Sequence, residues 1–267
     1  MFRISDLCPI SFNPQKYKFA RETDYIQRFY STDTLLVQIF IGTDEKFKAT
    51  LNSSYGVVDL LFTEVSINDK ERAFYCSLTG LKDGVYTIKF DIGSAVLESE
   101  PFAFCSSYSV LEETSLIRYS HDNNSSVFDT IFFDGDKQLF YEFRVEAGFK
   151  PSGTSFKVAV EQFRNQYQHI IELYSVPYKS ETLTVGNSFG VPVWVGELLN
   201  RIFSTKLVTI NGKRYVRSES SVPEMTAIME GEQMFNITMT LERTDTDVNE
   251  VVERRRIFDH TFSRVFG

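Results

Sequence analysis

The sequence predicts a mainly β protein with two β-sandwich domains, the second a sandwich or barrel with one flanking α-helix. Two observations predict this fold. Apolar and polar residues alternate through most of the chain, and only one stretch has helical periodicity. The chain has 267 residues, 42% of them hydrophobic, which is enough for two packed cores. Its 25 Phe and 13 Tyr favour strands, and they suit both sandwich cores and protein–protein interfaces.

Residues 30–105 are predicted to form an immunoglobulin-like sandwich, because short alternating runs recur there with Gly, Asn and Asp between them. In the clearest run, polar residues separate Tyr86, Ile88, Phe90 and Ile92. The other predicted inward-facing residues are Leu35, Val37, Ile39, Ile41, Phe47, Ala49, Leu51, Val58, Leu60, Phe62, Phe74, Cys76, Leu78, Phe102 and Phe104.

Leu81, Gly84 and Tyr86 have the spacing of a tyrosine corner. In that motif a tyrosine hydroxyl ties the incoming loop to a late strand of the sandwich. The alternative is an ordinary Asp–Gly turn before a strand.

Residues 129–244 are predicted to form the second domain, with a helix over 192–203. Val195, Leu198, Leu199, Ile202 and Phe203 follow the helical spacing of a buried face. Asn211–Gly212 predicts a two-residue hairpin turn, since both positions of that turn take a positive φ. We expect a connector at 106–128 and weakly patterned arms at 1–29 and 245–267.

Composition and motifs favour a protein without catalysis, cofactor or metal. The net charge of −8 and pI near 5.1 disfavour nucleic acid as a partner. No phosphate-binding loop, nucleophile elbow or zinc-ligand spacing is found. No segment reads as a secretory signal or a membrane helix, so we expect a protein made in a cytoplasm and not inserted in a membrane.

Carboxylates leave two possibilities open. Asp134-Gly135-Asp136 could offer oxygen ligands to calcium, but a glycine-containing turn between strands is favoured. A facing pair of carboxylates for glycoside hydrolysis is neither indicated nor excluded, since sequence spacing does not identify pairs across a sheet.

Aromatic residues bracket the entry to the predicted helix, where Gly186 and Gly190 punctuate the loop. The candidate contact residues are Tyr174, Tyr178, Phe189 and Trp194. They could form a platform for a glycan or a contact between subunits. The alternative is a small hydrophobic core that holds the helix against the sheet.

Five stretches of the second domain carry a resemblance to a known group of proteins. They are Glu172-Leu173-Tyr174-Ser175, Pro192-Val193-Trp194, Glu197-Leu198-Leu199-Asn200, Ile210-Asn211-Gly212-Lys213 and Tyr215-Val216-Arg217. Together, over residues 138–243, they resemble tail-hub or baseplate structural proteins of phages and prophages of Bacteroidetes. The resemblance implies a virion component that self-assembles into a ring.

Three functions follow as hypotheses. The first is a phage-tail, baseplate or tail-tube-like subunit that assembles in the bacterial host cytoplasm with copies of itself and other tail proteins. The second is a carbohydrate-binding or adhesion module that uses the aromatic loop. The third is a β-sandwich hydrolase.

Overall fold

The computed structural model describes residues 2–12, 25–93, 95–124, 129–186, 189–219, 221–228 and 233–244. The predicted C-terminal arm at 245–267 lies outside the described residues. Strands dominate the described chain, as the sequence predicts.

The described residues of the first domain form ten strands. They are β1 (Arg3–Ile4), β2 (Gln27–Tyr30), β3 (Leu35–Gly42), β4 (Lys48–Ser53), β5 (Gly56–Asp59), β6 (Thr63–Ser66), β7 (Glu71–Leu78), β8 (Gly84–Ile92), β9 (Ala95–Glu98) and β10 (Phe102–Cys105). One sheet has the order β1-β3-β7-β6, and the other has the order β2-β10-β8-β4-β5 with β9 beside β8.

This strand order is that of an immunoglobulin-like sandwich. In chain order, β1, β3, β6 and β7 supply strands A, B, D and E of one sheet, while β4, β5, β8 and β10 supply C, C′, F and G of the other. The predicted inward faces meet in one core, in which Val37, Ile39, Ile88 and Phe90 are completely buried. Val58 differs, because edge strand β5 leaves its side chain 60% exposed.

The predicted tyrosine corner is confirmed. The Tyr86 hydroxyl donates a hydrogen bond to the Lys82 carbonyl oxygen at 2.8 Å, and the Tyr86 side chain is buried. The loop that enters β8 is therefore tied to the strand that follows it.

The described parts of the predicted N-terminal arm at 1–29 belong to the sandwich. β1 pairs with β3, and β2 pairs with β10 in parallel. Cys8, Ile10 and Phe12 are buried in the sandwich core, whereas Leu7 is buried in the cluster of the barrel residues. The arm was predicted because β1 has only two residues and β2 four, which is too short for a visible alternation.

In the part of the chain that the structure describes, the second domain contains twelve strands, a 3-10 turn at Pro151–Gly153 and one of the two α-helices. The strands and the α-helix are β11 (Ser115–Ser120), β12 (Phe133–Asp134), β13 (Lys137–Gln138), β14 (Tyr141–Val145), β15 (Ala147–Phe149), β16 (Ser155–Arg164), β17 (Ile170–Val185), β18 (Val191–Pro192), α2 (Val193–Ile202), β19 (Leu207–Ile210), β20 (Lys213–Arg217), β21 (Glu224–Ala227) and β22 (Met234–Arg243). The first helix, α1 (Tyr108–Glu113), precedes β11.

The main sheet of this domain closes on itself as a barrel. Its order is β14-β11-β19-β20-β22-β17-β15, and every pairing along it is antiparallel. The first and last members of this order, β14 and β15, are separated in sequence only by Glu146. They form one bent strand that joins both ends of the sheet, so the barrel alternative is the one adopted.

The predicted helix and hairpin turn are confirmed. α2 begins after Pro192 and buries Val195, Leu198, Leu199 and Ile202. Asn211 and Gly212 have φ of 48° and 80°, the positive values of a type I′ turn.

Two further local expectations have different outcomes. Gly135, with φ 58°, forms a turn between β12 and β13, and the Asp134 carboxylate accepts a bond from Tyr75, so the turn interpretation is confirmed.

Residues 106–128, expected to be a connector, contain α1 and β11. β11 lies between β14 and β19 in the barrel, with Ile117 and Tyr119 completely buried.

The two domains share a continuous interior. The outer face of β3 carries Leu36 and Phe40, which are buried in the same cluster as the barrel residues. Between them lies Gln38, which is completely buried. Its side chain donates to the Ile131 carbonyl oxygen at 3.1 Å and accepts from the Ile131 N–H at 2.6 Å. β3 is therefore covered on both faces, which explains its nearly continuous apolar sequence.

A buried ion pair reinforces this contact. Asp33 of the first domain and Arg144 on β14 are 2% and 5% exposed. The guanidinium donates two hydrogen bonds to the carboxylate, with Nη2–Oδ1 and Nε–Oδ2 distances of 2.7 and 2.5 Å. Asp33 also accepts the Tyr30 N–H at 2.8 Å. Leaving either charge unpaired in the interior would be costly, so the pair favours one relative position of the two domains.

Candidate interaction surface: the arm of the second domain

A long hairpin projects from the barrel. Ser180 on β17 pairs with Ser155 of β16 on one side and with Glu242 of β22 on the other. Between Lys179 and Ile170, β17 pairs with β16 alone among the described residues. We call residues 155–179 the arm, which is distinct from the terminal arms predicted at 1–29 and 245–267.

The root of the arm is held firmly in the barrel. Gly153 packs so closely that a Cβ there would lie 2.8 Å from the Thr182 Cβ, so only glycine fits without a shift. The Glu181 carboxylate accepts hydrogen bonds from Tyr215, at 3.0 Å, and from Lys179. Burial raises the pKa of Glu181, but these two bonds, with the positive charges of Lys179 and Arg243, outweigh it and lower the pKa below its usual value. The carboxylate is therefore ionised at neutral pH.

The tip of the arm is a compact turn. The Asn165 side-chain oxygen accepts the backbone N–H groups of Tyr167 and His169, both at 3.0 Å. Gln168 takes a φ of 66°, which closes the turn. Halfway along the arm, the pairing register shifts between Glu161 and Gln162, as in a β-bulge.

The pairing register assigns the paired side chains of the arm to two faces, because directly opposite residues share a face. We call one the valine face, with the apolar residues Phe156, Val158, Val160, Ile170 and Pro177. We call the other the tyrosine face, with Lys157, Ala159, Glu161, Phe163, Ile171, Tyr174, Val176 and Tyr178.

Both faces of the arm expose large apolar side chains. Phe156 is 87% exposed, and Val158, Phe163 and Tyr174 are about half exposed. Single exposed apolar residues are common on protein surfaces, but a contiguous set of this kind marks an interaction site. The arm has no described element packed on either face that would make it part of a core.

The charges of the arm are few and of both signs. Lys157 and Glu161 lie on the tyrosine face, and Arg164, Glu172 and Lys179 lie on the valine side of the strands. The Lys157 ammonium lies 5.9 Å from the centre of the Tyr178 ring. The arm thus combines aromatic surface with isolated charges, a composition typical of protein interfaces.

The structure brings together two of the four candidate contact residues. Tyr174 and Tyr178 both lie on the tyrosine face, opposite Glu161 and Lys157. Phe189 is 84% exposed but lies in the loop before α2.

Trp194 does not join this exposed surface. It is half-buried at the start of α2, with its ring 6.1 Å from that of Tyr25 and 6.3 Å from that of Phe143. For Trp194, the interpretation as part of a small core around the helix is the one that the packing supports. A single platform built from all four rings is not formed.

In the sequence, Phe156, Val158 and Val160 alternate with other residues as in any strand with one apolar face. The signal that distinguishes the arm is the opposite strand, where apolar residues fall at both parities, as with Ile170 and Ile171. A strand with apolar residues on both faces is either buried within its own chain or covered by another one.

The described part of the chain holds neither a candidate metal site nor a membrane-spanning helix. No three His, Cys, Asp or Glu side chains there are grouped so that they could hold a metal ion. None of the described helices combines the length and apolarity needed to cross a bilayer.

Comparisons with known proteins give little more. The sequence matches no family model and no curated protein. Among solved structures, the chain is aligned with the crystal structure of Dpr2 Ig1-Ig2 in complex with DIP-Theta Ig1-Ig3. That alignment covers 86% of this chain and 90% of the other, at 9% identity and a TM-score of 0.18. A score this low does not establish a shared fold, so the immunoglobulin-like assignment rests on the strand order and the tyrosine corner.

Proposed function

We propose that this chain is a non-enzymatic structural subunit of a phage or prophage tail, in its hub, baseplate or tube region. In this proposal it assembles in the host cytoplasm with copies of itself and with other tail proteins. The observation that carries the assembly function is the arm, a projecting hairpin with apolar residues exposed on both faces. The tail context comes from the sequence resemblance of residues 138–243.

Physical chemistry supports a partner for the arm. A two-stranded ribbon in water is at best marginally stable, since it buries little apolar surface of its own. The ten residues of β16 extend about 34 Å, and two strands are about 10 Å wide, so each face offers about 340 Å². Both faces together approach the roughly 800 Å² that each partner contributes to a standard stable interface.

The geometry favours contact through the faces of the arm over addition of a strand to its edge. Pro177 lies on β17 within the arm and has no N–H to donate to a neighbouring strand. A proline on an outer strand is one of the features by which proteins block edge-to-edge pairing. A partner strand is therefore disfavoured at the β17 edge of the arm, and the exposed apolar side chains favour contact through its faces.

A role as a carbohydrate-binding module is less well supported. Such a module stacks sugars on exposed aromatic rings that lie together, whereas Trp194 packs in the interior around α2 and Phe189 lies apart from the arm. Tyr174 and Tyr178 remain available, so a glycan is an outcome that binding experiments can reveal.

The test is the solution mass of the purified chain by light scattering, over a concentration series. We expect reversible growth to a defined oligomer, visible as a ring or disc by electron microscopy. An arm variant with Val158→Asp and Tyr174→Asp places a charge on each face and should remain monomeric.

The matched control carries Val57→Asp and Val85→Asp, at two exposed valines of the first domain. It should assemble like the wild type. Equal assembly of the arm variant and the control would contradict a role for the arm. A wild-type chain that stays monomeric at all concentrations, alone and with tail proteins, would contradict the assembly function itself.

A further inference from the structure

The tyrosine face has a symmetric arrangement of charges around its centre. Lys157 and Glu161 are placed two residues before and two residues after Ala159 on the same strand. Opposite them on β17 stand Tyr178 and Tyr174, with Val176 opposite Ala159. The face therefore has a small apolar centre flanked by a cationic row and an anionic row.

The two charges do not neutralise each other within one molecule. Four residues of strand separate them by about 14 Å, far beyond the reach of an ion pair. No ion pair within the described residues involves Lys157 or Glu161. Each charge is thus free to meet an opposite charge on a partner.

We propose that the tyrosine face pairs with the tyrosine face of a second copy across a two-fold axis. The axis lies midway between the two packed faces, above the row of Ala159 and Val176. It runs parallel to that row, which is perpendicular to the strands. Rotation about it places Lys157 over Glu161 of the partner subunit and Tyr178 over Tyr174 of the partner subunit. Both contacts occur twice, as an isologous interface requires.

The centre of the face suits such close packing. Packed sheets are separated by about 10 Å, a distance that Lys and Glu side chains together can span. Ala159 and Val176 are small enough to let the sheets approach, and the tyrosine rings fill the space on either side. Because opposite charges meet in this register, it is favoured over arrangements in which like charges would face each other.

This pairing rests on the proposed assembly function and specifies one of its contacts. One face offers about 340 Å², less than half of what a stable standard interface takes from each partner, so the pairing alone is expected to be weak and reversible. The valine face stays open for other subunits, which allows pairs to be built into a larger assembly.

The test is a charge exchange measured by sedimentation equilibrium at low ionic strength. Lys157→Glu and Glu161→Lys each create two like-charge contacts across the axis, and each should weaken self-association by about tenfold or more. The double variant restores both ion pairs with exchanged signs and should return to within about threefold of the wild type. Added salt should reduce the difference between the single variants and the wild type.

The control is Arg164→Glu, a charge reversal on the same strand but on the valine side. It should leave self-association unchanged. A double variant no stronger than the single ones, or an equal loss with Arg164→Glu, would overturn the two-fold pairing. If the charge variants all assemble normally while Val158→Asp with Tyr174→Asp abolishes assembly, the pairing is wrong and the proposed function stands.

Discussion

Strands β3 and β16 both have apolar residues on each face and are opposite in environment. β3 has large apolar residues on both faces along its length, in the sequence LLVQIFIG, whereas β16, in the sequence SFKVAVEQFR, has Phe156, Val158 and Val160 on one face and Phe163 on the other. Seven of the eight residues of β3 are buried, whereas nine of the ten residues of β16 are exposed. A strand with apolar residues on both faces needs another element packed against each face. The described chain supplies both packing partners for β3 and neither for β16.

The two covers of β3 come from distant parts of the chain. One is the second sheet of the immunoglobulin-like domain, and the other is the barrel domain with Ile131 and its neighbours. We infer that the covers of β16 come from other molecules. The following matched substitutions test this difference, in order of decreasing expected effect.

The largest contrast is expected between Phe40→Ala and Phe156→Ala. Phe40 is 3% exposed, and its loss leaves a cavity between the domains that should cost about 3–5 kcal/mol of unfolding free energy. Phe156 is 87% exposed, so its loss should change the stability of the monomer by less than about 0.5 kcal/mol. Urea denaturation of the dilute protein measures both, and similar losses would mean that the arm is covered within the monomer.

A smaller contrast is expected between two glutamines on the same strands. Gln38→Ala removes both partners of the buried Ile131 backbone groups and should cost about 1–3 kcal/mol for each group left unsatisfied. Gln162 is exposed on β16, and Gln162→Ala should be nearly neutral. Urea denaturation again measures the free energy of unfolding of both variants. A neutral Gln38→Ala would argue against a tight contact between the domains.

The smallest contrast concerns two tyrosine hydroxyls. Tyr86→Phe removes the bond to the Lys82 carbonyl and should cost about 0.5–1.5 kcal/mol. Tyr174→Phe removes a hydroxyl that is not part of a packed corner, and dilute monomer should keep its stability. Thermal unfolding followed by circular dichroism resolves the difference, and a larger loss for Tyr174→Phe would contradict it.

Local patterns in the sequence predicted much of the fold. The tyrosine corner, the helix after Pro192 and the Asn211–Gly212 turn each depend on a few neighbouring residues, and each is confirmed. β1 and β11 were not predicted. β1 is too short to show alternation, and β11 has the alternating pair Ile117 and Tyr119 in a segment that looked polar at its far end.

The candidate site was predicted only in part. Tyr174 and Tyr178 were selected as aromatic residues near the helix, and the structure places them on the arm, away from Trp194. Alternation in sequence shows that a face is apolar but not what covers it. That is why the cover of β3 and the exposure of β16 became visible only with the tertiary arrangement.

The central claim is that the arm is completed by contact with another molecule. Hydrogen exchange of the wild-type chain, measured by mass spectrometry at low and high protein concentration, tests it most directly. We predict that amides of 155–179 exchange quickly in dilute protein and become protected as concentration rises, while β3 is protected throughout and edge strand β5 does not change. An arm that exchanges at the same rate at every concentration, while the protein associates through another surface, would contradict the claim.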